Sequence, residues 1–298
     1  MRLYTVEKNG EELLAADGGD GRKVLVQSLG IDAKDMNDLI LHWEAYEEPL
    51  RKGLNDAKGE EIVLPEPGAA KEQEGYRILA PIPVPRQDVI CLGVNYGDHI
   101  KETVKVLDFT KKKDAVYFSK RVNRSNDPGG RIPVYDFVDS LDYEVELGVI
   151  LKKDAFRVDA SQVKDYILGY TVINDVSARN VQMKHQQWYL GKSLDGYLPM
   201  GPCIVTTDEI PDAGNLNVLC YVNGEKRQSS NTAYMITTIE EAVEELSRGM
   251  TLKAGTVIAT GTPGGVAMGM QSPIWLKEGD CVRCEIEGIG VLENYVGK

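Results

Sequence analysis

The stretch Ser140-Leu141-Asp142-Tyr143-Glu144-Val145-Glu146-Leu147-Gly148-Val149-Ile150 decides how this chain is read. Strand side chains repeat with period two, so Leu141, Tyr143, Val145, Leu147 and Val149 share one face, and Asp142, Glu144, Glu146 and Gly148 share the other. The first face is apolar and predicts burial against a core. The second sets three carboxylates in a row, with neighbours roughly 6.5–7 Å apart along the strand. No Lys or Arg is interleaved with them. Like charges in a row call for a cation over that face, and a hard divalent metal is the simplest one. A solvated outer strand face is the plain alternative.

A further ligand must come from elsewhere. Tyr166-Ile167-Leu168-Gly169-Tyr170-Thr171-Val172-Ile173-Asn174-Asp175 is an apolar, β-rich run that ends in Asn-Asp, which puts Asp175 at a strand end. Two Glu and one Asp with no Cys or His beside them form an all-oxygen set. Such a set favours Mg²⁺, Mn²⁺ or Ca²⁺ over Zn²⁺ or Cu²⁺.

The rest of the composition narrows the classes. A chain of 298 residues makes one large domain, or a large one with a small one. Its 34 Lys and Arg against 46 Asp and Glu give a net charge of −12. That balance argues against nucleic acid and against an anionic membrane surface as partners. A small anionic substrate stays compatible, because a metal and a few local cations reverse the field within one pocket. No apolar run approaches the roughly 20 residues of a membrane helix. Met1-Arg2-Leu3-Tyr4-Thr5-Val6-Glu7 reads as a strand, not a signal peptide. The five cysteines, Cys91, Cys203, Cys220, Cys281 and Cys284, are odd in number and scattered, which predicts reduced thiols in a cytoplasmic protein. Cys281 and Cys284 form a CxxC in a strand-like run, where they face opposite sides; core cysteines are the expectation.

Residues 1–80 read as a small α+β unit. Met1–Val6 and Glu11–Ala16 form a hairpin around Asn9-Gly10. Asp35–Tyr46 has helical spacing through Met36, Leu39, Ile40 and Trp43, with His42 expected in packing beside Trp43. Residues 57–74 are polar and rich in Gly, Glu and Pro. The alternating prolines of Pro81-Ile82-Pro83-Val84-Pro85 form an extended connector, so the boundary falls here and residues 81–298 form the main domain. From Gln87 onward, short β-rich runs alternate with Gly and Pro. Val222-Asn223-Gly224-Glu225 is a second hairpin turn. Thr238–Arg248 is the clearest helix, capped by Thr238 and ended by Gly249. The fold class is predominantly β, α+β overall, without the βαβ alternation of a doubly wound sheet.

Other stretches carry chemistry. After a strand, Gly93-Val94-Asn95-Tyr96-Gly97-Asp98-His99-Ile100-Lys101-Glu102 places His99 and Glu102 three apart. On a helix they share a face, and the carboxylate is expected to orient the imidazole and raise its pKa, as suits a general base. Gly191-Lys192-Ser193-Leu194-Asp195-Gly196 lacks the first Gly of a phosphate-binding loop, since position 186 is Gln. Lys192 can instead approach an anionic oxygen. A helical turn puts Asp175, Arg179 and Gln182 on one side, where Arg179 either binds a carboxylate or pairs with Asp175 or Glu146. Ala259-Thr260-Gly261-Thr262-Pro263-Gly264-Gly265-Val266 follows a strand, and its N–H groups and the Thr262 hydroxyl can face a ligand's oxygens.

Taken in order, these segments resemble the fumarylacetoacetate hydrolase family from about residue 88 to the C-terminus. They are Leu92–Tyr96 with His99 and Glu102, Leu141–Leu147, Gly169–Thr171 with Asn174–Arg179, Gly191–Gly196, Gly201-Pro202, Val222–Glu225 and Gly261–Val266. The first 80 residues resemble the variable leading domain of many members. The resemblance implies a mixed β-sandwich roll, usually a homodimer, with Glu144, Glu146 and Asp175 as metal ligands. It implies a His99–Glu102 pair on a segment that orders over substrate, with Lys192 beside the reacting group. Arg179, Gln182 and Thr262 match positions that bind substrate or intermediate. One departure is Asn180, where many members carry Asp.

The reaction implied is hydrolysis of a C–C bond in a 2,4-dioxo acid of the acylpyruvate or fumarylpyruvate type, through a metal-stabilised enolate. The same site without water attack gives isomerisation, tautomerisation or decarboxylation of 2-oxo or 2-hydroxymuconate-type dicarboxylic acids. A catalytically silent β protein that binds metal structurally is the alternative of another class.

Overall fold

The computed structural model describes residues 1–65, 75–103 and 114–298. The strand Val145–Leu151 lies inside an eleven-stranded sheet, between Ile167–Asn174 and Val257–Ala259. On one side the order continues through Met200–Thr206, Arg2–Lys8, Glu11–Asp17, Lys23–Leu25 and Glu61–Ile62. On the other it continues through Val89–Gly93 and Val116–Lys120. Tyr76–Ile78 pairs with Arg2–Lys8 off this path. Every pairing in the sheet is antiparallel except that of Val257–Ala259 with Val89–Gly93. A five-stranded sheet, in the order Glu225–Asn231, Asn217–Val222, Cys281–Ile286, Gly290–Val296 and Arg131–Ile132, packs against it.

Both faces of the central strand are covered, for different reasons. Val145, Leu147 and Val149 share a buried cluster with Val218, Cys220, Val282, Cys284 and Leu292 of the smaller sheet. Ile150, Leu168, Ile173 and Ile204 join a second cluster, with Met36, Leu39, Ile40, Trp43 and Leu50 of the first helices. Each such side chain contributes about 1.5–3 kcal/mol when fully buried. The architecture is therefore the predominantly β, mixed sandwich roll with a leading α+β segment. Arg2 and Leu3 pair with Val205 and Ile204, so the leading strands extend the main sheet.

The local signals have local causes. Asn9-Gly10 and Asn223-Gly224 all have positive φ, as two-residue hairpin turns require. Thr238 accepts the Glu241 N–H while Glu241 accepts the Thr238 N–H, which starts the helix Ile239–Ser247.

Three expectations need correction. The helix expected over Asp35–Tyr46 is two helices, Met36–Leu41 and Trp43–Asn55, broken at His42. His42 is not buried beside Trp43; it is exposed, edge-on to Tyr46, with Nδ1 3.0 Å from Asp38. The run Leu141–Leu151 is not one strand. Leu141–Asp142 pairs with Ser177–Ala178, and Val145–Leu151 starts afresh in the large sheet. Of the polar stretch 57–74, residues 66–74 lie outside the described residues.

Candidate metal centre

The break in that strand builds the site. At the break, the Glu144 N–H donates to the Asn174 side-chain oxygen at 2.9 Å, and the Asp175 N–H donates to the Glu144 carbonyl at 2.8 Å. The Asn174 side chain thus replaces a ladder bond and fastens the two carboxylate-bearing segments together. Glu144, Glu146 and Asp175 each point an oxygen inward, all within 4.8 Å of one another, and all three residues are buried.

Asp142, the remaining carboxylate of the row, is not in this group. It accepts the Arg179 Nε–H at 2.9 Å and the backbone N–H groups of Ala267 and Met268 at 2.8 and 3.1 Å.

The cations that the row requires come from other segments. The Lys192 ammonium bridges Glu144 at 2.5 Å and Asp175 at 2.6 Å. It is buried in the short helix Tyr189–Lys192 and is not a solvated loop lysine. Arg179 pairs with Glu144 at 2.5 Å and with Asp142, rather than with Asp175 or Glu146, and its Nη1 donates to Gln182 at 3.0 Å. Lys120, missed in the sequence, is buried with its ammonium 2.5 Å from Asp175 and 3.0 Å from the Val176 carbonyl. Its strand reads as an ordinary alternating run, and its partner lies 55 residues away.

Four acids thus face three bases, one negative charge in excess when all of them are ionised. A divalent ion would reverse that to one positive charge, a field suited to an anionic substrate. Burial would raise the Glu144 carboxyl, but Lys192 and Arg179 together hold it down at about 2. Glu146 goes the other way. Burial, then Asp175 and Glu144, push it well above the carboxylate range, opposed in part by Lys192 and by the Gly261 N–H at 2.8 Å. Among the described residues no cationic side chain hydrogen-bonds Glu146. A buried carboxylate in this state, beside two others and in an all-oxygen set, fits a hard divalent ion.

The helix Gly97–Thr103 carries His99 and Glu102. His99 Nδ1 lies 4.0 Å from Glu102. The imidazole pKa is lowered, not raised: burial brings it to about 4, Arg179 and Lys192 act in the same direction, and Glu144 offsets only part. Lost hydration outweighs the pull of the Glu144 carboxylate. Glu102 is itself shifted upward, chiefly by burial, and the Gly265 N–H donates to both of its oxygens at 3.0 and 2.9 Å.

One cleft brings together His99, Glu144, Glu146, Arg179, Gln182, Lys192 and Thr262, with Phe118, Trp188 and Met268 as apolar wall. It is narrow: about 20 Å³ admits the centre of a water molecule. Asp175 and Glu102 are not among the lining residues; Asp175 is fully buried and Glu102 is partly exposed. The Thr262 hydroxyl donates to the Val145 carbonyl at 2.9 Å and accepts from Gln228 at 2.8 Å. The loop's N–H groups therefore aim at protein carboxylates, Gly261 at Glu146 and Gly265 at Glu102. Asn180 points away, donating to the Phe137 carbonyl.

Gly191 has a packing reason. A Cβ there would lie 2.5 Å from the Gln182 nitrogen and 2.7 Å from its Cα, so the helices Arg179–His185 and Tyr189–Lys192 touch through backbone. Gly191→Ala should cost about 1–3 kcal/mol by overpacking, read as a lower denaturant midpoint at unchanged slope.

Comparison with known proteins places the chain in a family. Residues 88–297 match the Fumarylacetoacetate (FAA) hydrolase C-terminal family. Oxaloacetate tautomerase YisK of Bacillus subtilis (strain 168) is 41% identical over 222 residues, 74% of this chain and 73% of that protein. In three dimensions the chain is similar to a fumarylacetoacetate hydrolase (EaFAH) from psychrophilic Exiguobacterium antarcticum. The TM-score is 0.81 and the identity 34%, covering 100% of this chain and 99% of that one. It is also similar to maleylpyruvate hydrolase from Sphingobium sp. SYK-6, solved in complex with manganese (II) ion and pyruvate. There the TM-score is 0.76 and the identity 25%, over 100% and 99% of the two chains. With a family match over most of its length and both relatives and folds of one kind, the chain belongs to the fumarylacetoacetate hydrolase family.

Proposed function

We propose that the protein interconverts the keto and enol forms of a small dicarboxylic 2-oxo acid of the oxaloacetate type, with Mg²⁺ or Mn²⁺ held by Glu144, Glu146 and Asp175. The observation that carries this reading is the buried group of three carboxylates, one of them hydrogen-bonded by no cationic side chain among the described residues, facing Lys192, Arg179 and a buried His99. When bound, the metal supplies a positive charge that favours the enolate form of a 2-oxo acid.

The chain's own residues supply the rest. Lys192 adds a second positive charge at the cluster, and the acids around it keep it protonated. His99, neutral at physiological pH, accepts the proton from the carbon next to the keto group and delivers it to the former keto oxygen to give the enol; the reverse transfer, from the enol oxygen back to the carbon, restores the keto form. Glu102 sets its position. Arg179 holds Gln182, whose amide is left to contact the substrate, and Thr262 lines the cleft from the loop that follows Val257–Ala259. Phe118 and Trp188 keep the reacting carbon away from bulk water.

The sequence motifs put C–C hydrolysis of an acylpyruvate first. The 41% identity to an oxaloacetate tautomerase and the narrow cleft favour tautomerisation instead. Hydrolysis stays as the second reading, supported by the likeness to a maleylpyruvate hydrolase that holds pyruvate. A cytoplasmic homodimer belongs to the same reading. Exposed Phe137, Tyr189, Leu190 and Ile274 offer apolar surface for a second copy to cover, and light scattering gives the mass.

The test uses two substrates with the metal-loaded protein. Enol-oxaloacetate is followed by its ultraviolet absorbance, and acetylpyruvate by absorbance together with free pyruvate. Faster decay of the enol with no pyruvate from acetylpyruvate is the expected result. Pyruvate released in step with acetylpyruvate loss would replace tautomerisation by hydrolysis. Neither reaction would leave a silent metal-binding protein.

A further inference from the structure

We infer that Asp142 is a positioning residue that couples the carboxylate cluster to the helix bearing His99 and Glu102. The turnover readout of this inference rests on the enolisation reading; its geometry does not.

Asp142 is fully buried and its two oxygens are full. They accept from the Tyr143 N–H at 3.0 Å, Arg179 Nε at 2.9 Å, the Ala267 N–H at 2.8 Å and the Met268 N–H at 3.1 Å. A carboxylate offers about four lone-pair sites, so these four donors leave none for a metal. The third acid of the row is thus committed to protein.

Two chains of contact meet at this carboxylate. One runs through Arg179, whose guanidinium also holds Glu144 and Gln182. The other runs through Ala267 and Met268 into the single helical turn Ala267–Gly269. Gly269 is the seat of Glu102. A Cβ there would lie 2.6 Å from Glu102 Oε2 and 2.9 Å from its Cβ and Cδ. Gly264 approaches from the other side, where a Cβ would be 3.1 Å from Oε1. Gly265 donates to both Glu102 oxygens, and its carbonyl is held by the Tyr143 hydroxyl at 2.9 Å. Asp142 therefore fixes the orientation of Arg179 on the cluster side and the position of the 264–269 loop on the Glu102 side. Since Glu102 docks into that loop, the distance from His99 to the carboxylates depends on Asp142.

Asparagine is nearly the same size but cannot do both. It accepts through one oxygen and turns an NH₂ either toward Arg179 Nε and the Met268 N–H, which share Oδ2, or toward the Tyr143 and Ala267 N–H groups, which share Oδ1, donor against donor in both cases.

The experiment compares Asp142→Asn and Gly269→Ala with wild type. It reads kcat and KM on enol-oxaloacetate, Mn²⁺ affinity by calorimetry, and amide hydrogen exchange across 97–103 and 264–269. In Asp142→Asn we expect kcat to fall about 10–100-fold with Mn²⁺ affinity unchanged and exchange faster in both segments. Wild-type kcat and exchange would overturn the inference. So would a loss of Mn²⁺ affinity as large as the loss of kcat, which would make Asp142 a support of the ligands alone. Gly269→Ala leaves Asp142 and Arg179 in place. It must also lower kcat at intact Mn²⁺ affinity, and wild-type kcat there overturns the coupling even if Asp142→Asn does not fold. Exchange needs no turnover. A wild type inert on both substrates, with exchange still faster in Asp142→Asn, would sink the enolisation reading and leave the coupling standing.

Discussion

Replacing His99 by Gln should lower turnover of the 2-oxo acid by about 10²–10⁴-fold while divalent-metal affinity stays at the wild-type level. The residue is buried in the cleft with Glu144, Glu146 and Lys192, yet it is not one of the three clustered carboxylates. Gln keeps much of the volume and a hydrogen-bonding end but cannot take a proton. In the wild type His99 also carries a pH consequence. Burial holds the imidazole pKa near about 4, so His99 is in its basic form throughout the neutral range. The acid limb of kcat/KM should therefore fall well below the ordinary histidine value near 6.5, with activity lost as pH drops through the lowered pKa. Full turnover in His99→Gln would remove it from the chemistry.

Glu146→Gln should have opposite effects on the metal-free and metal-loaded protein. Without metal, Glu146 is a buried carboxylate raised by burial and by Asp175 and Glu144. The sign follows from linkage. A carboxyl with a folded pKa above its unfolded value near 4.5 favours the folded state below that value. That contribution is lost as pH rises through the raised pKa. At pH 7 the neutral amide removes the repulsion, so the metal-free variant should melt at or above the wild type, with less dependence on pH between 4.5 and 7. Adding Mg²⁺ or Mn²⁺ should stabilise the wild type, by about 2.7 kcal/mol at a hundredfold excess over Kd, and the variant hardly at all. Thermal melts with and without metal check both arms. An equal metal-induced shift in the two proteins would remove Glu146 from the ligand set.

What could be read from the sequence was what depends on near neighbours. Period-two spacing put Glu144 and Glu146 on one face, and the Asn-Gly pairs gave both hairpins, because each depends on a few adjacent residues. Asp142 has the same spacing and a different fate. Beside the adjacent Tyr143 N–H, its lone pairs are filled by Arg179, Ala267 and Met268, the last two about 125 positions away, and no local pattern reports that. Lys120 escaped for the same reason, since only the packing of its strand beside Asp175 makes it a buried cation. The direction of the His99 shift was misjudged because the sequence displays Glu102 three residues away but not the burial, nor the nearby Arg179 and Lys192, that lower the pKa. The helix break at His42 went unseen because Met36, Leu39, Ile40 and Trp43 keep their spacing across it.

The measurement that bears most directly on the carboxylate centre is calorimetric titration with oxalate. This planar dianion presents two adjacent oxygens, as the enolate of a 2-oxo acid does. Binding to the wild type only when Mn²⁺ or Mg²⁺ is present, and its loss in Glu146→Gln, is the result this account predicts. Equal oxalate binding with a chelator present, or none in the metal-loaded protein, would contradict it.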